Sequence, residues 1–494
     1  MTALAPPSRR NPKSHGSSLV PQLTRPALVV LLSAAFMQLL DSTIVNVAVP
    51  DIRADLHTGS STVELIMAGY QAAFAAVLLV GGRLGDVHGR RRLFLLGMAG
   101  FVLASVACGL AGTGSQLVAA RFAQGAFSGL MFPQVLAILK VSTPPAQRPK
   151  VFGIYGATVG LSTVLGPVLG GVLIDPLDAG WRSVFWVNVP IGLAALAAGR
   201  VLLPNTPPQR GRPVDLFSAA LLASALLAVL FPLTFGRENG WPISGFVVMA
   251  AALVLFGLFV RRQARLDSIA RHQQAKPAPV APLALFAAPG FAVGAAANVV
   301  FFAGIGPFFF IFLLTLQLGM GESALTAGLA TVPFAALGAV SSKRSALFAR
   351  RLGSRVLVLG CGLQVAGHLM LMATLQVADQ PTPWALAPAL AVAGFGMGLF
   401  VAPVTEIVLR HVPHELAGAA SGLLATCQQV GGAVGLALLG TLYFHLLGAR
   451  PGPAGFQHTL TDALWWEVAV FVLAAAMCLR LPSPRTAPVQ PTTV

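Results

Sequence analysis

The chain has 494 residues, 56% of them hydrophobic and 10% charged, with a mean hydropathy of +0.78. A soluble domain carries about 25% charged residues, so the composition excludes a set of water-covered domains as well as a wholly disordered chain, and four widely spaced cysteines (Cys108, Cys361, Cys427, Cys478) exclude a disulfide or zinc framework. The net charge of +16 falls in short clusters between apolar runs, the pattern of loops beside a membrane rather than of a nucleic-acid surface, which leaves an all-α polytopic membrane protein.

Residues 1–25, rich in Pro, Ser and Arg, read as a disordered tail. A helix needs about 20 apolar residues to cross the ~30 Å hydrocarbon core, and fourteen runs reach that length. The first, residues 26–50, is too long for a signal-peptide core and contains QLLDSTIVNVAVP (38–50). Gln38, Asp41, Ser42 and Asn46 fall on one face of it by i, i+3, i+4 spacing. A charge at mid-bilayer costs about 2.5–3.5 kcal/mol or more. Asp41 is therefore expected to face a cavity or a partner and to be able to take up a proton, the alternative being a structural, hydrogen-bonded acid.

Span 2 (61–81) is followed by GRLGDVHGRRR (82–92), read as a tight turn that needs Gly82, Gly85 and Gly89. Asp86 can bond Arg90, Arg91 or Arg92 across that turn or at a helix end. After span 3 (93–113), span 4 (115–140) carries Arg121, then Gln124, Gly125 and Gly129. At ~1.5 Å per residue, Arg121 lies roughly 9 Å and Asp41 about 14 Å from span ends on one side of the membrane. The two are expected to interact, directly or through water, if spans 1 and 4 are neighbours; otherwise Arg121 snorkels to the interface. Span 5 (151–175) holds GATVGLSTVLGPVLGG (156–171), in which Gly156, Gly160, Gly166, Gly170 and Gly171 fall mostly on one face suited to close helix approach, with Pro167 as a kink.

The remaining spans cover about 183–203, 214–235, 243–261, 286–318, 324–348, 355–377, 384–410, 416–447 and 463–481. Span 9 is rich in phenylalanine (Phe301, Phe302, Phe308, Phe309, Phe310, Phe312), divided between an aromatic cavity and lipid. His368 and His445 read as satisfied structural histidines. Glu406 in span 12 is a second intramembrane acid, able to bind a cationic substrate or a proton, or to snorkel. The glycines at 394–398 follow no strand and make no dinucleotide site. His411, His414 and Glu415 lack further metal ligands and read as a solvated loop.

Gly125, Gly129 and Leu130 recur as Gly394, Gly398 and Leu399, and Gly156 and Gly166 as Gly422 and Gly432. The recurrence relates residues 26–203 to 283–482 as parallel six-span repeats. Residues 204–282 then hold an inserted pair of spans with a basic loop, and 483–494 form a second tail. Of the 32 Lys and Arg, 27 fall on the side of both termini, four on the other and Arg121 within a span, which places both termini in the cytoplasm. The six tryptophans fall at or near the outer span ends, where the interface favours them. The abundance of Ala, Gly, Pro and Arg points to a bacterial source.

Taken together and in this order, the Asp41 stretch, the 82–92 loop, the Arg121 helix and the 156–171 helix resemble the major facilitator superfamily. The fourteen spans, with FWVNVPIG (185–192), QLGMGESALTAGLATVP (317–333), GFGMGLFVAP (394–403) and QQVGGAVG (428–435), are similar to its fourteen-span drug:proton antiporter branch, over about 26–480. The resemblance implies two six-helix bundles plus two linker helices and transport by alternating access. It implies a monomer in the bacterial plasma membrane that exports amphipathic drugs or antibiotics at the expense of the proton gradient, without a cofactor. Asp41 and Arg121, with Gln38, Asn46 and Gln124 beside them, would serve proton coupling and substrate recognition. Gly82, Asp86, Gly89, Arg90 and Arg91 would serve gating, and Gly156, Gly160, Gly166, Pro167, Gly170 and Gly171 would form the antiporter helix. Val87 departs from the basic residue usual in that loop, and Leu390 stands where the second half would match Arg121, so proton coupling is expected in the first bundle. The rivals are a proton-coupled importer of a small polar metabolite, which needs more hydrogen-bonding side chains in the spans, and a membrane enzyme, which needs a catalytic cluster that the sequence lacks.

Overall fold

The computed structural model describes residues 23–144, 147–205, 215–236, 240–272, 279, 282–377, 381–413, 416–448 and 452–482. Most of the two expected tails, and His414 with Glu415, lie outside them. Every regular element among the described residues is helical: α1 Arg25–Leu56, α2 Ser60–His88, α3 Arg90–Gly109, α4 Gly114–Ser142, α5 Arg148–Ile174, α6 Ser183–Leu202, α7 Leu216–Phe235, α8 Ile243–His272, α9 Phe291–Leu314, α10 Ala324–Leu352, α11 Arg355–Val377, α12 Ala387–Leu409, α13 Ala417–Gly448 and α14 Pro453–Cys478. Thirteen of these are long and apolar enough, among the described residues, to cross a membrane. The other, α5, has 27 residues and completes the fourteen. Helices are the form in which an apolar chain satisfies its own backbone in lipid, and side-chain caps start several of them. Thr24 accepts from Ala27 N at 3.3 Å, Thr113 from Gln116 N at 3.3 Å and Ser323 from Thr326 N at 3.1 Å.

Two boundaries correct the sequence reading. Helix α1 continues through Pro50 to Leu56 and is closed by His57 in the left-handed conformation, its N–H reaching Arg53 O. Helix α2 runs to His88, so Gly82 and Gly85 are helical and Gly89 (φ 94°) alone makes the turn into α3. The glycines before it serve packing instead. A Cβ at Gly85 would meet the Gln134 side chain of α4, and one at Gly81 would stand 2.5 Å from the Gly129 carbonyl oxygen.

Helices α1 to α6 form one bundle, in which α1 packs on α4, α5 and α6, and α4 on α2 and α3. Helices α9 to α14 form the second, with α9 on α13 and α14, α12 on α10 and α11, and α11 on α14. Helix α7 lies along both α2 and α13, and α8 packs outside it with large apolar side chains such as Ile243, Val247 and Leu253 exposed, as suits a lipid-facing helix. The linker pair is tied by Asp215, which caps α7 at Ser218 N and accepts two 2.8 Å bonds from Arg262 of α8. Burial opposes ionisation of Asp215, but the bonds from Arg262 and Ser218 outweigh it and hold the carboxyl below its usual range.

The bundles touch at one end and part at the other. At the end that carries Asp55, Gly171 of α5 lies against Ala324 and Leu325 of α10, Gly328 lies against the Pro167 carbonyl, and Asp175 Oδ2 accepts from Leu325 N at 2.6 Å. There too Gly440 of α13 faces Glu64 of α2. Toward the opposite end, which carries Gly89, Gly153 and Gly156 of α5 and Gly422 of α13 have nothing within 4 Å of a would-be Cβ. Of the paired repeat glycines, Gly156 and Gly422 both stand open, whereas Gly166 packs on Thr43 of its own bundle and Gly432 on Gln71 of the other.

Candidate functional site

Asp41 lies at the middle of α1 and is fully buried inside the first bundle. Its Oδ2 accepts from Arg121 Nη1 at 2.6 Å, and its Oδ1 accepts from Gln124 Nε2 at 2.8 Å and Asn188 Nδ2 at 2.9 Å. One carboxylate therefore joins α1, α4 and α6. Arg121, 1% exposed, also donates to Gln124 Oε1 at 2.7 Å and to the Ile66 carbonyl at 3.4 Å. Its guanidinium carbon stands 4.2 Å from the Tyr70 ring centroid and 5.8 Å from that of Phe185, within range of cation–π attraction. Gln124 donates further to Ser105 Oγ at 2.8 Å, and Tyr70 is fixed by a 3.0 Å bond with Ser128. Such an arrangement holds a charge pair in a dry interior, where each partner depends on the other. Protonating the carboxyl removes that mutual compensation.

Close by, but on another side of α1, a narrow chamber lies between the bundles, lined by Thr43, Asn46, Pro167, Phe309, Thr331 and Ala335. One phenylalanine ring and several hydroxyl and amide groups form its wall, and in this conformation its space is of the order of a water molecule.

These positions correct the single polar stripe read from the sequence. Asp41 turns inward to Arg121, and Asn46 turns to the chamber. Five residues separate them, about 140° around a helix, so neighbouring helices draw them to different partners. Gln38 is buried with its carbonyl 3.5 Å from the Tyr70 hydroxyl. Arg121 does not snorkel. Asp86 accepts from Arg90 Nε at 3.1 Å and Nη2 at 2.9 Å across the Gly89 turn, Arg90 reaches the Ala137 carbonyl of α4 at 3.4 Å, and Arg91 donates to the Arg200 carbonyl.

The α5 glycines are also not one surface. Gly166 and Gly170 receive Thr43 and Ile44 of α1, Gly171 receives α10, Gly156 is open, and Gly160 lies in the helix between them. Glu406 is exposed on α12, whereas its neighbours Val404, Ile407 and Val408 are buried. Of the span-9 phenylalanines, Phe309 lines the chamber, while Phe301 stacks on Phe400 at 3.7 Å between ring centroids.

Spacing arguments missed Asn188, Ser105 and Tyr70, which come from three other helices. Asn188 stands in FWVNVPIG, so only the resemblance carried a signal for it. Also missed was Glu467, an acid in the apolar run of α14. Among the described residues, no three of His, Cys, Asp or Glu group as metal ligands.

The family signature that matches this chain is that of the Major Facilitator Superfamily, over residues 31–436. The chain is 40% identical to the probable actinorhodin transporter of Streptomyces coelicolor, over 91% of its own length and 78% of that protein's. It is 34% identical to the tetracenomycin C resistance and export protein of Streptomyces glaucescens, over 86% and 76%. It is 33% identical to a puromycin resistance protein of Streptomyces alboniger, over 93% and 91%. In fold it is similar to crystal structures of a POT peptide transporter (TM-score 0.66, 15% identity, 93% and 96% of the two chains) and of a D-xylose–proton symporter (TM-score 0.65, 14% identity, 94% and 99%).

Proposed function

The chain belongs to the Major Facilitator Superfamily, and on that basis we propose that it exports amphipathic small molecules, antibiotics among them, from the bacterial cell in exchange for protons. The observation that carries this reading is the sealed Asp41–Arg121 pair on the helix that also walls the chamber. The placement of the basic residues puts the Gly89 end and both termini in the cytoplasm. The conformation described is then closed outward and parted inward, ready to admit a substrate from the cell.

The coupling runs through α1. With Asp41 ionised, its three donors hold α1, α4 and α6 in one arrangement. A proton on Asp41 leaves the Arg121 charge uncompensated, so the three helices repack. Because α1 also carries Thr43 and Asn46 into the chamber and seats Gly166 and Gly170 of α5, repacking changes the chamber wall and the Gly171 contact between the bundles together. The proton and the substrate thus compete through a shared helix, not for the same atoms. Transport requires only that each ligand binds the two facing states with different affinity, and the monomer contains every element of the scheme.

The test is drug tolerance in an efflux-deficient bacterial host expressing wild type, D41N or R121A at equal levels, over a panel that includes puromycin and tetracenomycin C. Wild type is expected to raise tolerance to at least one compound, with either variant returning it to that of the host. No rise for any compound with wild type overturns the export reading. Substrate-driven proton movement in inverted vesicles then separates exchange from import by its sign.

A further inference from the structure

The second bundle buries an acid that the scheme above does not use. Glu467 stands near the middle of α14, fully enclosed, and neither carboxyl oxygen has a hydrogen-bond partner. On α11, His368 (1% exposed) holds its Nδ1 2.7 Å from the Gln364 carbonyl. A carbonyl only accepts, so Nδ1 carries the ring proton and Nε2 offers a lone pair. That Nε2 is also without a partner, as are both polar atoms of the Gln364 side chain. Phe471, one turn beyond Glu467, joins the two sides: its ring lies 5.2 Å from that of His368, and together with Glu467 Oε2 it closes around Gly304 of α9, where a Cβ would stand 2.6 Å from that oxygen.

An ionised carboxylate without a donor is not tolerated in such a place, whereas a protonated one is neutral. We propose that Glu467, enclosed with Phe471 against Gly304, is a second proton-binding site in the interior of the second bundle, and that it carries its proton in the conformation described here. The step is simple association: the carboxylate takes a proton from water to become the carboxylic acid and returns it when the bundle repacks. From the other elements packed on α14, α9 contributes no titratable group, α11 adds the buried thiol of Cys361 farther along, and α13 adds Tyr443, whose hydroxyl is 2.7 Å from Thr315 Oγ1 of the turn after α9. No Lys or Arg forms a salt bridge with Glu467 among the described residues.

Infrared spectroscopy of the purified full-length chain in lipid nanodiscs, titrated with pH and without substrate, tests this directly. Wild type is expected to show the carbonyl stretch of a buried carboxylic acid at neutral pH, lost on raising the pH; E467Q removes the band and D41N leaves it. G304A, with a methyl pressed on Oε2, should move the band. That variant serves if E467Q fails to fold. A wild-type spectrum without the band, a band that survives E467Q, or one that never titrates while the protein stays folded overturns the proposal. No transported compound is involved, so its failure leaves the export reading intact, and failure of export leaves this site standing.

Discussion

In the first bundle Asp41 is met by Arg121, Gln124 and Asn188, all within 2.9 Å, while in the second Glu467 is met by no donor at all. Both carboxyls are fully buried at mid-helix. The difference lies in the neighbours: α4 offers Arg121 to the first bundle's centre, and at the corresponding place α12 offers Leu390, itself buried. A paired acid holds helices together while ionised and releases them when protonated. An unpaired acid is at rest when protonated and strained when ionised. On the proposed scheme the two repeats answer a proton in opposite senses, and substitutions at the two sites should behave differently.

The largest contrast is expected at Arg121. R121A strands the Asp41 charge and should cost about 3–5 kcal/mol of stability, seen as a lower thermal midpoint in detergent, with export at background. The double variant D41N/R121Q should recover the midpoint without recovering export; recovery of both would remove the pair from the coupling scheme. Next comes the seam between the lobes. G171V presses a branched side chain onto Leu325 and Ala324, and overpacking of about 1–3 kcal/mol should hold the Asp55 end ajar and lower export roughly tenfold at unchanged membrane levels.

The linker pair, outside both bundles, should respond by about 1 kcal/mol. D215A removes a helix cap worth about 0.5–2 kcal/mol along with the bonds from the partly exposed Arg262. The folded carboxyl titrates below its unfolded value of about 3.9. Its contribution is therefore present above that value and fades as the pH falls through the folded one. A wild-type melting midpoint that drops below about pH 4, with a flatter profile for D215N, checks the sign. Smaller still, E467Q should change the neutral-pH midpoint by less than about 1 kcal/mol, because an amide replaces a neutral acid; a loss as large as that of R121A would mean that Glu467 is ionised and paired, ending the contrast between the lobes. G156A enters open space and should alter stability by less than about 0.5 kcal/mol, sharpening the distinction between the open and packed halves of α5.

Much of this architecture was legible before any coordinates. The bilayer imposes length and apolarity on each crossing segment separately, so fourteen spans could be read one at a time. The cost of an isolated charge in lipid singled out Asp41 and Arg121 and suggested that they meet. Other readings failed at the level of direction. The turn expected at Gly82 and Gly85 is helix instead, and these glycines let α2 approach α4. Glu406 and Glu467 are the same residue type in apolar runs, and only packing exposes the first and seals the second.

What the amino-acid order determined by itself, then, was the set of crossing helices and the presence of charges that must find partners, since hydropathy and the price of burial act locally along the chain. Only the tertiary structure decided that Asp41 turns to Arg121 while Asn46, on the same helix, turns to the chamber, and that one lobe's acid is paired and the other's alone. A side chain's surroundings are set by which distant helices pack against each of its sides, and hydropathy along the chain carries no record of that.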